Sequence, residues 1–186
     1  MRVVIAAICA MLALSAWAKP ADVAFDGQSY QPTFENAERG PDGTGHPFVE
    51  FTLPGETVEN WTKLFAYHDF ADLEVTPDQA AAALGDVVKE QNKDANFAIM
   101  DVPGGEEAII DFLTWTPGSN VMEFNVFKYV RAREGNGLIA LQYAQRFNPN
   151  DLDVMAFREF RKKAVEEMMR VDPAPAQAHF APKTRT

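Results

Sequence analysis

EAIIDFLTWTPGSNVMEFNVFKYVRAREGNGLIALQYAQRF, residues 107–147, carries most of the architecture. Three runs rich in aliphatic, β-branched and aromatic side chains occupy 107–116, 121–132 and 138–147. Between them stand Pro117-Gly118-Ser119-Asn120 and Arg133-Glu134-Gly135-Asn136-Gly137, short turn sequences of the kind that join antiparallel neighbours. A fourth run, 96–102, precedes them across Pro103-Gly104-Gly105. The pattern predicts an antiparallel meander.

Upstream, 48–53 alternates apolar and polar residues, Pro54-Gly55-Glu56 turns the chain, and 61–70 alternates again. In that second run Trp61, Phe65 and Tyr67 fall on one side and Leu64, Ala66 and Phe70 on the other. Thr76-Pro77-Asp78-Gln79 then opens a helix: Thr76 can cap, Pro77 needs no N–H in the first turn, and Gln79 can reach back to the cap. Ala80, Leu84, Val87, Val88 and Gln91 form its expected apolar stripe. A closing helix is expected over 151–170, capped by Asn150 or Asp151. Its buried stripe should be Leu152, Met155, Ala156, Phe160, Ala164 and Met168, with Arg158, Arg161, Lys162 and Glu166 facing water.

Strand, strand, helix, meander and closing helix predict an α+β domain in which a curved antiparallel sheet carries packed helices. From Phe48 to Met169 the layout resembles the PsbP-like fold, whose members begin with a strand ending in a turn such as Leu53-Pro54-Gly55, followed by an early helix, a meander and a C-terminal helix. That resemblance implies a protein that binds partners or steadies a larger assembly, and it transfers no functional residue. Cystatin-like and NTF2-like sheets fit the same order of elements.

The chain ends read differently. Arg2, the apolar run 3–16 and Ala16-Trp17-Ala18 have the form of a signal peptide, cleaved after Ala18, and the expected location is periplasmic or extracellular. Sixteen residues, 3–18, fall short of the ~20 that cross a bilayer. Removing 18 of the 186 residues leaves 168, and loss of Arg2 takes the formal charge from −10 to −11. Residues 19–47, broken by Pro20, Pro32, Pro41 and Pro47, read as an irregular lead-in with at most a short edge strand over 29–34. Residues 48–171 form the single domain, and 172–186 read as a disordered tail.

Chemistry is reached by subtraction. Cys9, the sole cysteine, leaves with the signal. Ser29 and Ser119 are the only serines after it, and neither lies in a nucleophile elbow. His46, His68 and His179 are scattered singly, without the i, i+4 spacing of a helical zinc site. The acidic balance disfavours nucleic acid and anionic membrane as partners. No cofactor or metal is called for by any motif.

Aromatic residues are the remaining clue. In 121–131 one strand face offers Met122, Phe124, Val126 and Val130, while the other mixes Phe127 and Tyr129 with Glu123, Asn125 and Arg131. Either a helix covers this second face or it receives a ligand or partner. The candidate binding residues are Phe127, Tyr129, Arg131, Trp115 and His68. Three functions compete: a non-catalytic accessory or binding protein with a protein or small-molecule partner; a small envelope hydrolase or lyase using carboxylates and His68; and an apolar-ligand carrier. The enzyme predicts polar groups from separate strands converging on His68, with Asp111 or Glu123 in reach of it. The carrier needs a cavity of several hundred Å³.

Overall fold

The computed structural model describes residues 20–38, 46–102, 104–116, 118–133 and 137–181. The expected signal peptide, residues 1–18, lies outside them, as do residues 39–45 and 182–186.

Among the described residues eight strands and three α-helices follow one another: β1 (Val23–Phe25), β2 (Gln28–Asn36), β3 (Phe48–Thr52), β4 (Lys63–Phe70), α1 (Pro77–Gln91), β5 (Asn96–Asp101), β6 (Glu107–Trp115), β7 (Met122–Arg131), β8 (Leu138–Phe147), α2 (Val154–Arg170) and α3 (Ala174–Phe180). The strands form one antiparallel sheet in the order β1-β2-β3-β4-β8-β7-β6-β5. Two four-stranded meanders are therefore sewn together where β8 returns to β4, in an unbroken eight-pair register from Lys63↔Gln145 to Phe70↔Leu138. The architecture is α+β.

Side chains alternate across the sheet, so each strand feeds two layers. On one side α1 packs over β5, β6 and β7, closing a cluster that includes Ala81, Val88, Ile110, Tyr129 and Leu138. On the other, α2 and α3 close the larger core, with Phe65, Phe124, Leu141, Tyr143, Val165 and Met168 all buried. Fully burying a side chain such as Met168 or Phe124 stabilises by about 1.5–3 kcal/mol, so the two layers together hold the sheet without disulfides.

The capping box at α1 forms as the sequence dictates: Thr76 Oγ1 accepts from Gln79 N, and Gln79 Oε1 accepts from Thr76 N at 2.9 Å. Its buried stripe is rotated from the expected one. Ala80, Ala81, Gly85 and Val88 face the sheet, while Val87 is exposed. A Cβ on Gly85 would stand 2.7 Å from the Phe97 ring, so the helix lies close to the sheet through small residues. Small size, not apolarity, sets this contact.

The closing helix starts later than expected. Residues Pro149–Asp151 make a 3-10 turn, and Asp153 caps α2 by accepting from Met155 N and Ala156 N, each at 2.8 Å. Ala164, Val165 and Met168 are its buried residues, with Phe157 and Phe160 partly buried, while Met155 is exposed. Arg161, expected in water, instead reaches the buried Asp111.

Both terminal segments correct the sequence reading. The lead-in contains β1 and the nine-residue β2, joined at Asp26-Gly27 with φ of 49° and 65°. Asp-Gly with positive φ at both positions is the favoured two-residue hairpin turn, a signal the prolines around it obscured. The tail is ordered through α3: Ala176 is fully buried, and Gln177 Nε2 donates to Arg131 O at 2.9 Å. Alanines that show no hydrophobic period on their own find a surface in the folded sheet.

Candidate binding face on the central strands

The side of the sheet that carries α1 is not covered evenly. Register sets Phe34, Glu50, Ala66, Gln142, Phe127 and Ile110 in one transverse row from β2 to β6. The next row places Phe48 beside His68, Ala140 and Tyr129. Glu50, Phe48, His68, Gln142 and Phe127 are half-buried, whereas Ala66, Ala140, Ala144 and Asn125 between and beside them are buried. Larger polar and aromatic groups thus stand around a floor of alanines.

A chain of hydrogen bonds runs across this floor. His46 Nε2 lies 2.9 Å from His68 Nδ1, and His68 Nε2 lies 2.9 Å from Gln142 Oε1. Gln142 Nε2 donates to Asn125 Oδ1 at 2.8 Å, and Asn125 Nδ2 donates to Glu123 Oε1 at 3.1 Å. Carboxylate and amide chemistry fixes the direction. Glu123 can only accept, so Asn125 must present its amide nitrogen there and its oxygen to Gln142. Gln142 Oε1 then accepts from His68 Nε2–H, which leaves His68 Nδ1 to accept from His46. All the donors point toward Glu123.

Beyond Glu123 the row continues to Arg146, whose Nε is 3.6 Å away and whose guanidinium lies 3.7 Å from the Trp61 ring centroid. Trp61 precedes β4 and packs with Leu64, Ala66 and Ala144, not with Phe65 and Tyr67 as expected. Phe48 and Phe70 stack on His68, each with ring centroids 6.0 Å away.

Burial and the neighbouring His46 hold the His68 imidazole down at about 4, against a smaller opposing pull from Gln142. His68 is neutral at neutral pH. Burial alone pushes the Glu50 carboxyl above the usual range, and that carboxyl has no hydrogen bond or ion pair to a described residue.

The sequence candidates are divided by the fold. His68, Phe127 and Tyr129 share this face, with Phe127 5.9 Å from His68 and 6.1 Å from Tyr129. Tyr129 belongs to the cluster under α1, and Arg131 donates from Nη1 to Val75 O at 2.9 Å, which ties it to the chain just before that helix. Trp115 stands apart, on the opposite side of the sheet. It lines a cleft of about 520 Å³ with Ala98, Leu113, Met122, Phe157 and Arg161.

Polar groups from separate segments do converge on His68, but no carboxylate among the described residues reaches it. Asp111 faces the other side and is held by Arg161 at 2.5 and 3.0 Å, while Glu123 is separated from His68 by two amides. Asp69 also points away, with Oδ1 accepting from Ala71 N. Among the described residues no three His, Cys, Asp or Glu side chains gather as a metal-binding group, and no helix is long and apolar enough to cross a membrane.

His46, Glu50 and Gln142 carry the site and are not among the sequence candidates, while Asn125 is read from sequence only as part of the mixed face of 121–131. Gln142 flanked by Ala140 and Ala144 was a legible polar point on a small-residue strand face. Its partnership with His68 depends on the β4–β8 register, which no local pattern specifies. No curated protein matches the chain. The model of a family of uncharacterised proteins matches residues 17–173, a span holding all eight described strands, α1, α2 and every member of the polar row, and the chain belongs to that family.

Proposed function

We propose that this is an exported, non-catalytic binding protein that meets its ligand or partner on the polar face of β3, β4, β7 and β8. The chain from His46 to Glu123 carries the reading. It sets a fixed pattern of donors and acceptors into a sheet surface otherwise built from alanines and aromatic rings, and such preorganised polar groups in an apolar frame suit recognition. A histidine held near 4 is a weak base at neutral pH, and both of its ring nitrogens are engaged, which disfavours the hydrolase or lyase.

A photo-reactive phenylalanine analogue placed at Phe48 tests the reading in the cell envelope. It should yield a discrete adduct that the same group at exposed Lys162 does not. Adducts from Lys162 alone, or turnover of ester, amide or glycoside substrates lost in His68→Gln, would overturn it. The mature protein should begin at Lys19, as intact mass will show.

The apolar-ligand carrier is favoured by one observation, the 520 Å³ cleft between α2 and β5–β6. Its ion pair of Asp111 and Arg161 is internally neutral, which suits an uncharged ligand. Quenching of Trp115 fluorescence by a neutral aromatic amine, and not by an anionic naphthalene sulfonate, is the expected signature.

A further inference from the structure

Resting on the binding reading above, we infer that the polar face selects an organic cation, an alkylammonium group seated against Glu50 beside the paired rings of Phe34 and Phe48.

Three observations converge. Glu50 is a half-buried carboxylate without a partner among the described residues, so its desolvation is uncompensated in the protein alone. Its neighbours on the same face are Phe34 on β2, in direct register, Phe48 two residues back on its own strand, and Ala66 on β4. Phe34 and Phe48 approach at 5.7 Å with planes inclined by 40°, and Phe34 is 45% exposed, so ring surface is open beside the carboxylate.

The surrounding charges agree. Lys63 projects to the opposite side and is held by Asp26 at 2.6 Å. Arg146 is engaged with Glu123 and Trp61, so it does not neutralise Glu50. His68, in the next row on β4, is uncharged at neutral pH. A carboxylate, aromatic faces and no lysine or arginine paired with that carboxylate among the described residues make a place for an ammonium, which gains a charge-assisted hydrogen bond from the acid and an electrostatic attraction from the rings. Ala66 contributes by being small: a larger side chain there would fill the space between Glu50 and Gln142.

An ammonium can arrive on a free amine or on a lysine of a partner protein, and the two are separable. Titration of the ¹⁵N-labelled protein with n-butylammonium, n-butanol and an acetylated glycyl-lysyl-glycine amide reads both questions from the amide shifts of Phe48, Glu50 and Ala66. Butylammonium is expected to bind about tenfold more tightly than butanol, and Glu50→Gln to erase that difference. Glu50→Gln removes a half-buried charge that has no partner among the described residues, so its melting temperature should be unchanged or raised, which keeps the comparison free of folding defects.

A peptide stronger than butylammonium would identify a lysine-bearing partner; the reverse order would identify a free amine. Equal binding of butanol and butylammonium at these amides would overturn the cation inference while leaving the binding face standing. Shifts confined to other parts of the sheet, or an ammonium preference that survives in Glu50→Gln, would also overturn it. The first of these, together with no adduct from Phe48, would remove the binding face as well.

Discussion

His68 donates from Nε2 to Gln142 Oε1 at 2.9 Å although the two are not register partners: His68 lies opposite Ala140, and Gln142 opposite Ala66. The bond is a diagonal across the β4–β8 pair, and it exists because both register partners are alanines that leave room for it. This one contact orients the imidazole, assigns its tautomer and links β4 to the amide chain that ends at Glu123.

The depressed basicity of His68 has a consequence for stability. In the unfolded chain the ring takes a proton below about 6.5, whereas in the folded protein it resists until about 4. The unfolded state therefore binds more protons in that window, and stability falls as pH drops from 6.5 toward 4, by at most about 1.4 kcal/mol per pH unit from this group. Urea unfolding at pH 7, 6, 5 and 4.5 should show a shallower loss in His68→Gln than in the native protein. Identical slopes would refute the assignment.

Removal of Arg161 should be costly for a different reason. Asp111 has a side chain only 2% exposed, and Arg161→Ala leaves its charge without a counter-ion. Because the arginine itself is 43% exposed, the expected loss is about 2–4 kcal/mol, toward the lower part of the range for a broken buried pair. The double replacement Asp111→Leu with Arg161→Met should recover most of it in denaturant melts. No recovery would mean that the pair is not the source of the loss.

Lys128 sits on the apolar side of β7, 3% exposed, and donates from Nζ to Met169 O and Val171 O at 3.2 Å while pairing with Glu107 at 2.9 Å. A buried ammonium at a helix C-terminus satisfies carbonyls that α2 cannot satisfy itself. Lys128→Met should destabilise by about 2–4 kcal/mol and accelerate amide exchange over the last turn of α2 and through α3. Exchange that rises evenly across the molecule would argue against a local capping role.

Truncation after Val171 should lower stability by about 1–3 kcal/mol, because it uncovers the apolar surface around Ala176 and strips Gln177 from Arg131 O. A truncated chain that melts with the native one would restore the reading of residues 172–186 as an unstructured tail.

These outcomes trace which features of the fold could be read from the chain. The β5–β8 meander, the β3 and β4 strands and the Thr76 capping box follow from local turn chemistry and alternation, and each stands close to where the sequence puts it. Contacts made by small or charged residues do not follow from apolar periodicity. Gly85 and Ala81 face the sheet in α1, Lys128 enters the core, and Arg161 turns inward to Asp111. The polar row fails to show for a related reason: His46, His68, Gln142 and Asn125 come from four separated segments. Only the non-local closure of β8 on β4 makes them neighbours. Phe127 was legible as part of this face, whereas Trp115 looked equivalent to it and lies on the other side of the sheet.

The most direct test of the account is a long-range ¹H–¹⁵N spectrum of the imidazoles recorded from pH 8 to pH 4. His68 should remain neutral to below pH 5 with its proton on Nε2, and Gln142→Ala should release that tautomer. A His68 that titrates near 6.5, or carries its proton on Nδ1 at neutral pH, would contradict the directed chain on which the binding face is built.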